Sequence, residues 1–87
     1  MYCLTFYGDW ANYFDNLPHE LKDRITKKIN SVLENPYKRH MAKGARFFVA
    51  EVGQYRLIYR IFEETKEIRF YFVGNHKRYE KWYKQFF

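Results

Sequence analysis

Only one cysteine, Cys3, occurs in the 87 residues, so no internal disulfide can form. Cys3 together with His19, His40 and His76 shows no zinc-type spacing, which argues against a structural metal. No apolar run approaches the roughly 20 residues that cross a bilayer, and the N-terminal hexapeptide lacks the basic and apolar regions of a signal peptide. A cytoplasmic location, with no membrane partner, is expected. The chain also lacks a GxxxxGK[ST] or GxGxxG phosphate loop, a GxSxG elbow and an HExxH pair, so no cofactor is expected. With two prolines and four glycines, chain punctuation is sparse and each instance carries information.

What is present is basic and aromatic. The formal charge is +6 with histidine neutral, 23% of residues are Phe, Tyr or Trp, and 47% are hydrophobic. That length and composition fit one domain spanning residues 1–87 and are the reverse of the signature of disorder. The excess charge is uneven: +2 over residues 1–44 and +4 over residues 45–87. Lys38, Arg39, Lys43 and Arg46 form one acid-free stretch, and Lys77, Arg78, Lys81 and Lys84 oppose Glu80 alone after Gly74. Basic side chains interleaved with Tyr and Trp suit a polyanion with stackable bases; they also suit an ordinary solvated surface.

Residues 2–7 are β-favouring and stop at Gly8-Asp9, which predicts a strand followed by a helix capped by Asp9. Trp10, Tyr13, Phe14 and Leu17 then recur at helical spacing, and after Pro18 so do Leu21, Ile25, Ile29, Val32 and Leu33 up to Asn35-Pro36. A helical hairpin joined at Asn16-Leu17-Pro18 is expected. Residues 37–45 lack periodicity and read as a loop. Three strands over 46–52, 55–62 and 67–73 follow, separated by Gly53-Gln54 and residues 63–66, and residues 76–87 form a terminal helix. The fold class is therefore α+β: a strand, a helical hairpin, a three-stranded antiparallel meander completing one mixed four-stranded sheet, and a short C-terminal helix.

A two-residue turn at Gly53-Gln54 places Glu51 opposite Arg56 and Val49 opposite Ile58. Phe48, Ala50, Leu57 and Tyr59 then face the helices, with Cys3 a small core residue. Glu51, Arg56, Ile58 and Arg60 share a second face, expected to be polar and open. Arg56 is open to two readings. It pairs with Glu51 across the strands, or it clamps a phosphate with its guanidinium fork. His76, just past a strand end and Gly74, is a surface imidazole or a proton donor and acceptor. Tyr79, one helical turn later, packs the terminal helix or contacts phosphate or base. Lys43 and Arg46 would flank the same face from the loop side.

The run Val52-Gly53-Gln54-Tyr55-Arg56-Leu57-Ile58-Tyr59 and the ending Phe72-Val73-Gly74-Asn75-His76-Lys77-Arg78-Tyr79 resemble the RelE/ParE superfamily of toxins, especially its RelE and HigB branches. The resemblance covers nearly the whole chain. It implies a toxin of a type II toxin-antitoxin system, held by a cognate antitoxin, that cleaves mRNA on the ribosome without a metal. It carries the family's strand arginine onto Arg56 and its terminal His/Arg and Tyr onto His76 and Tyr79. Where some RelE toxins place lysines or arginines, this chain has Phe47, Val49 and Glu51, so Glu51 is either the general base or the neutralising partner of Arg56. Lys43, Arg46, Arg60, Lys77 and Arg78 are the expected RNA-backbone contacts. A ParE-like gyrase inhibitor without nuclease activity, and an inert binding relative, are the alternative readings.

Overall fold

The protein is described here by a computed structural model covering residues 1–38, 40–41 and 47–85. Strand β1 (Cys3–Phe6) leads into helices α1 (Trp10–Asp15) and α2 (His19–Glu34), then a 3₁₀ turn at Pro36–Lys38. The strands β2 (His40–Met41), β3 (Phe48–Val52), β4 (Tyr55–Phe62) and β5 (Glu67–Asn75) follow, and α3 (His76–Lys84) closes the order. The sheet order is β1-β5-β4-β3-β2, with β1 parallel to β5 and the other pairs antiparallel. The expected four-stranded sheet is thus present, with the two-residue β2 added at one edge inside the stretch read as a loop. β5 runs two residues past the expected 73.

α2 buries the face its sequence pattern picks out. Leu21, Ile25, Ile29 and Val32 pack with Phe48, Ala50, Val52, Leu57, Tyr59, Ile68 and Phe70 in the main core. Asp9 stands at the cap position of α1, but its carbonyl accepts the Tyr13 N–H at 3.1 Å while its side chain makes no capping bond. Cys3 is exposed rather than in the core, because β1 is an edge strand and Cys3 lies on its outward side beside Glu67.

The β3–β4 register is the expected one: Glu51 opposite Arg56, Val52 opposite Tyr55, Val49 opposite Ile58. Gly53 supports that turn with φ +60°, a conformation that glycine adopts without steric cost. The β4–β5 ladder is interrupted. Ile58 pairs Phe72 and Tyr59 pairs Phe70, so Tyr71 is an extra residue in β5. The slip turns Phe72 and Gly74 outward and Val73 inward, and leaves Tyr71 and Phe72 both in a second cluster with Ile58 and Trp82. The outer face is therefore not the open polar surface the sequence predicts. Its middle is an aromatic layer on which α3 sits, with the Trp82 ring 5.4 Å from Phe47 and 5.7 Å from Phe72.

A polar clasp closes the end at the β4–β5 turn. Glu63 accepts hydrogen bonds from the Tyr2 hydroxyl (2.6 Å), the Tyr37 hydroxyl and Lys66 Nζ (2.9 Å), tying the N-terminus and the 3₁₀ turn to the hairpin. Lys66 is the one described non-glycine residue with positive φ (54°), and its bond to Glu63 braces that conformation. The three donors hold the Glu63 carboxyl down to about 2, and the same carboxylate pushes the Tyr37 phenol up to about 12.

Two outcomes follow from these contacts. A carboxyl titrating below its unfolded value of about 4.3 adds stability above that pH and loses it as the pH falls toward 2. Glu63→Gln should therefore flatten the acid limb of stability between about pH 5 and pH 2; urea midpoints measured across that range check it, and an unchanged limb contradicts it. Separately, a Cβ on Gly74 would lie 2.6 Å from Cζ of Phe72, whose ring is buried against Trp82. Gly74→Ala should cost about 1–3 kcal/mol by overpacking, and adding Phe72→Leu should recover part of it; equal urea midpoints for Gly74→Ala and the parent would contradict this.

Candidate functional site

The site grows from the place where β5 becomes α3. Asn75 ends the strand and caps the helix, its Oδ1 accepting the Arg78 N–H at 2.9 Å, so the chain turns over the outer sheet face without an intervening loop. His76 is the first residue of α3 and Tyr79 lies one turn on, with their ring centroids 6.1 Å apart. Arg56 stands on β4 directly opposite Gly74, the residue two before His76. The space over Gly74 is taken by the Phe72 ring and the Arg78 Cβ, which pack against the backbone opposite Arg56.

Arg56 Nη2 is 3.6 Å from Glu51 Oε1, an ion pair too long to be a hydrogen bond, and its Nη1 donates to the Tyr55 carbonyl at 3.3 Å. The Arg56 side chain is 21% exposed and that of Glu51 63%, so a half-buried guanidinium sits beneath a freely solvated carboxylate. Such a pair contributes about 0–1 kcal/mol, too little to commit either partner to it. The Tyr79 phenol is pushed up chiefly by burial, with Tyr83 and Glu80 adding to the effect and the Arg56 charge pulling the other way. Tyr79 is thus a hydrogen-bond donor held within electrostatic reach of Arg56.

The geometry therefore brings Glu51, Arg56, Tyr79 and His76 to one end of the outer face, linked in that order. It adds one residue that the sequence reading passed over. Glu80 Oε1 lies 2.9 Å from His76 Nε2, and a carboxylate on one ring nitrogen favours one setting of the imidazole. Their i, i+4 spacing on a helix was the available signal. Lys77 and Arg78 are exposed on the first turn of α3, beside the cluster. Arg78 also lines a cleft of about 140 Å³ with Tyr13, Asn16, Tyr55, Gly74 and Asn75.

Arg60 does not join this cluster. It lies four residues along β4 from Arg56, about 13 Å at strand rise, with the Trp82 layer between. Lys43 and Arg46 lie outside the described residues. Among the described residues, no three of His, Cys, Asp or Glu gather into a set that could hold a metal ion, and no helix is long and apolar enough to cross a membrane. Chemically, the cluster offers a positive charge, a phenolic donor, an imidazole and two carboxylates facing solvent.

Over residues 5–79 the sequence matches the profile of the ParE toxin of type II toxin-antitoxin systems, parDE. The fold recurs in solved structures. The intact RelBE toxin-antitoxin complex of E. coli has a TM-score of 0.78 at 22% identity, covering 86% of this chain and 96% of that one. The isolated E. coli RelE toxin gives 0.77 at 20% identity over 100% of both chains. The RelBE2 toxin-antitoxin complex of Mycobacterium tuberculosis gives 0.73 at 23% identity, over 86% and 98%. At these identities the likeness is one of fold. No curated protein matches the chain.

Proposed function

The chain belongs to the ParE toxin family, within the RelE/ParE superfamily of type II toxin-antitoxin systems, and from that premise we propose that it is an endoribonuclease that cleaves mRNA on the ribosome. The observation that carries the reading is the convergence of Arg56, Tyr79 and a Glu80-held His76 on one end of the outer sheet face. A guanidinium, a phenol and an imidazole are the groups that metal-free cleavage of a phosphodiester calls for.

In this mechanism Glu51 takes the proton from a ribose 2′-hydroxyl. The 2′-oxygen bonds to the adjacent phosphorus and the bond from phosphorus to the 5′-oxygen breaks, giving a 2′,3′-cyclic phosphate and a free 5′-hydroxyl. Charge builds on the non-bridging oxygens between those events. Arg56 meets that charge with a fork whose stem is half-buried and already oriented, so little reorganisation is needed. His76 gives a proton to the leaving 5′-oxygen, with Glu80 on its other side favouring one setting of the ring. Tyr79, kept protonated by its burial, donates to the phosphate or stacks on a base. Lys77 and Arg78 hold the backbone beside the scissile bond.

The partner on this reading is a cognate antitoxin. The RelBE complexes of the same fold pair the toxin with one, and a chain of charge +6 suits an acidic, partly helical peptide. With mRNA as substrate, the place of action is the cytoplasm. Gyrase inhibition without cleavage is the second reading, favoured by the match to the ParE profile in particular.

Single-turnover cleavage of ribosome-bound mRNA separates these readings. His76→Ala should lower the rate about 10²- to 10⁴-fold, and Arg56→Ala about 10²- to 10³-fold. Near-parental cleavage by the double variant would overturn the assignment of residues. Growth arrest with gyrase-dependent DNA damage and intact mRNA would overturn the nuclease reading itself.

A further inference from the structure

At the end of the outer face away from His76, two arginines stand directly opposite one another, Arg60 on β4 and Arg69 on β5. Like charges in such a cross-strand pair repel, so the arrangement needs an offsetting interaction. Aromatic rings provide part of it. The Arg69 guanidinium lies 5.7 Å from the Tyr7 ring centre and 4.5 Å from that of Phe62; the Arg60 guanidinium lies 4.8 Å from the same Phe62 ring and 5.7 Å from Phe47. Rings and guanidinium groups thus alternate from the end of β1 across β5 and β4 to the start of β3. Phe47 in turn meets Trp82 edge to face, at 5.4 Å, so α3 buttresses the ladder.

The two arginines differ in what remains of their charge. Glu67 takes Arg69 in a two-point grip, Nε to Oε2 at 3.0 Å and Nη2 to Oε1 at 3.2 Å, with Thr5 also bonded to that carboxylate. Arg60 meets the two rings and, among the described residues, no carboxylate. A guanidinium stacked on ring faces keeps its edge N–H groups for a ligand in the plane of the fork, and the ligand that matches a planar fork of donors is an oxyanion.

We propose that the Arg60–Arg69 ladder on Phe62 is a second phosphate subsite, gripping the RNA backbone away from the scissile bond. This rests on the RNA reading for the identity of the polyanion, while the anion site itself stands on the ladder. Arg60 supplies the free fork, and Arg69, its charge taken up by Glu67, holds the Phe62 ring on which Arg60 stacks. Because α3 lies between this end and the His76 end, the subsite serves binding and register of the strand and leaves the chemical step alone.

The test is binding of a short 2′-O-methylated RNA, which cannot be cleaved, across a salt series, alongside single-turnover cleavage at saturating RNA. Arg60→Gln keeps an aliphatic stem near the rings and removes the charge. It should raise Kd about tenfold or more and make the log–log salt slope shallower by about 0.7, with cleavage at saturation retained. Arg60→Lys should keep the slope and lose part of the affinity. Lys27→Gln, exposed on α2, controls for charge alone. Equal Kd and slope for Arg60→Gln and the parent, or losses no greater than those of Lys27→Gln, would overturn the subsite. Weakened binding of an acidic peptide with RNA binding intact would also overturn it, in favour of a protein partner. A protein that cleaves no RNA in any form yet shows the Arg60-dependent slope would refute the nuclease function and uphold the subsite.

Discussion

A single extra residue in β5 governs the outer half of this molecule. Tyr71 has no partner on β4, and the resulting bulge shifts the rest of the strand by one position relative to its first half. Without the shift, Phe72 and Gly74 would point into the core and Val73 outward. With it, Tyr71 and Phe72 together make an aromatic floor, Trp82 has a surface to bury against, and α3 is drawn over the sheet. The placement of His76 and Tyr79 near Arg56 follows from that docking. Gly74 is the second half of the same constraint, since any side chain there would collide with the ring that the bulge turned outward.

The docked helix also divides the outer face electrostatically. At one end Arg56 faces a carboxylate that is solvated and 3.6 Å away, an arrangement that commits neither group. At the other, Glu67 is held by Arg69 and Thr5, and its carboxyl is kept low chiefly by the Arg69 bonds. The neighbouring Glu63 is fixed still more firmly by two phenols and an ammonium. Glu63 and Glu67 serve as structural anchors where the chain must be tied together, whereas Glu51, beside the half-buried arginine, makes only a long ion pair.

Much of the fold was legible because it rests on periodicity. The 3- and 4-residue spacing of Leu21, Ile25, Ile29 and Val32 located α2 and its buried side, and the two-residue turn at Gly53-Gln54 fixed Glu51 opposite Arg56. The bulge was not legible. Phe70-Tyr71-Phe72-Val73 is continuously apolar, so alternation gives no sign of where the register slips, and simple alternation along β4 predicts an open outer face. Cys3 went astray for a related reason: a β-favouring run does not announce that it will lie at a sheet edge. For the site, the type and order of Arg56, His76 and Tyr79 were readable, and the helical spacing of Glu80 from His76 was there to be used. The separation of Arg60 from Arg56 needed knowledge of where Trp82 lands.

The parallel pairing of β1 with β5 has a consequence for synthesis. Cys3 and Leu4 find their partners in Glu67 and Ile68, near the other end of the chain, so an edge of the sheet made first must wait for one made last. A nascent chain that stops before β5 has neither the strand that anchors its beginning nor the scaffold on which the terminal helix can settle. The sheet can therefore close only after β5 has been made.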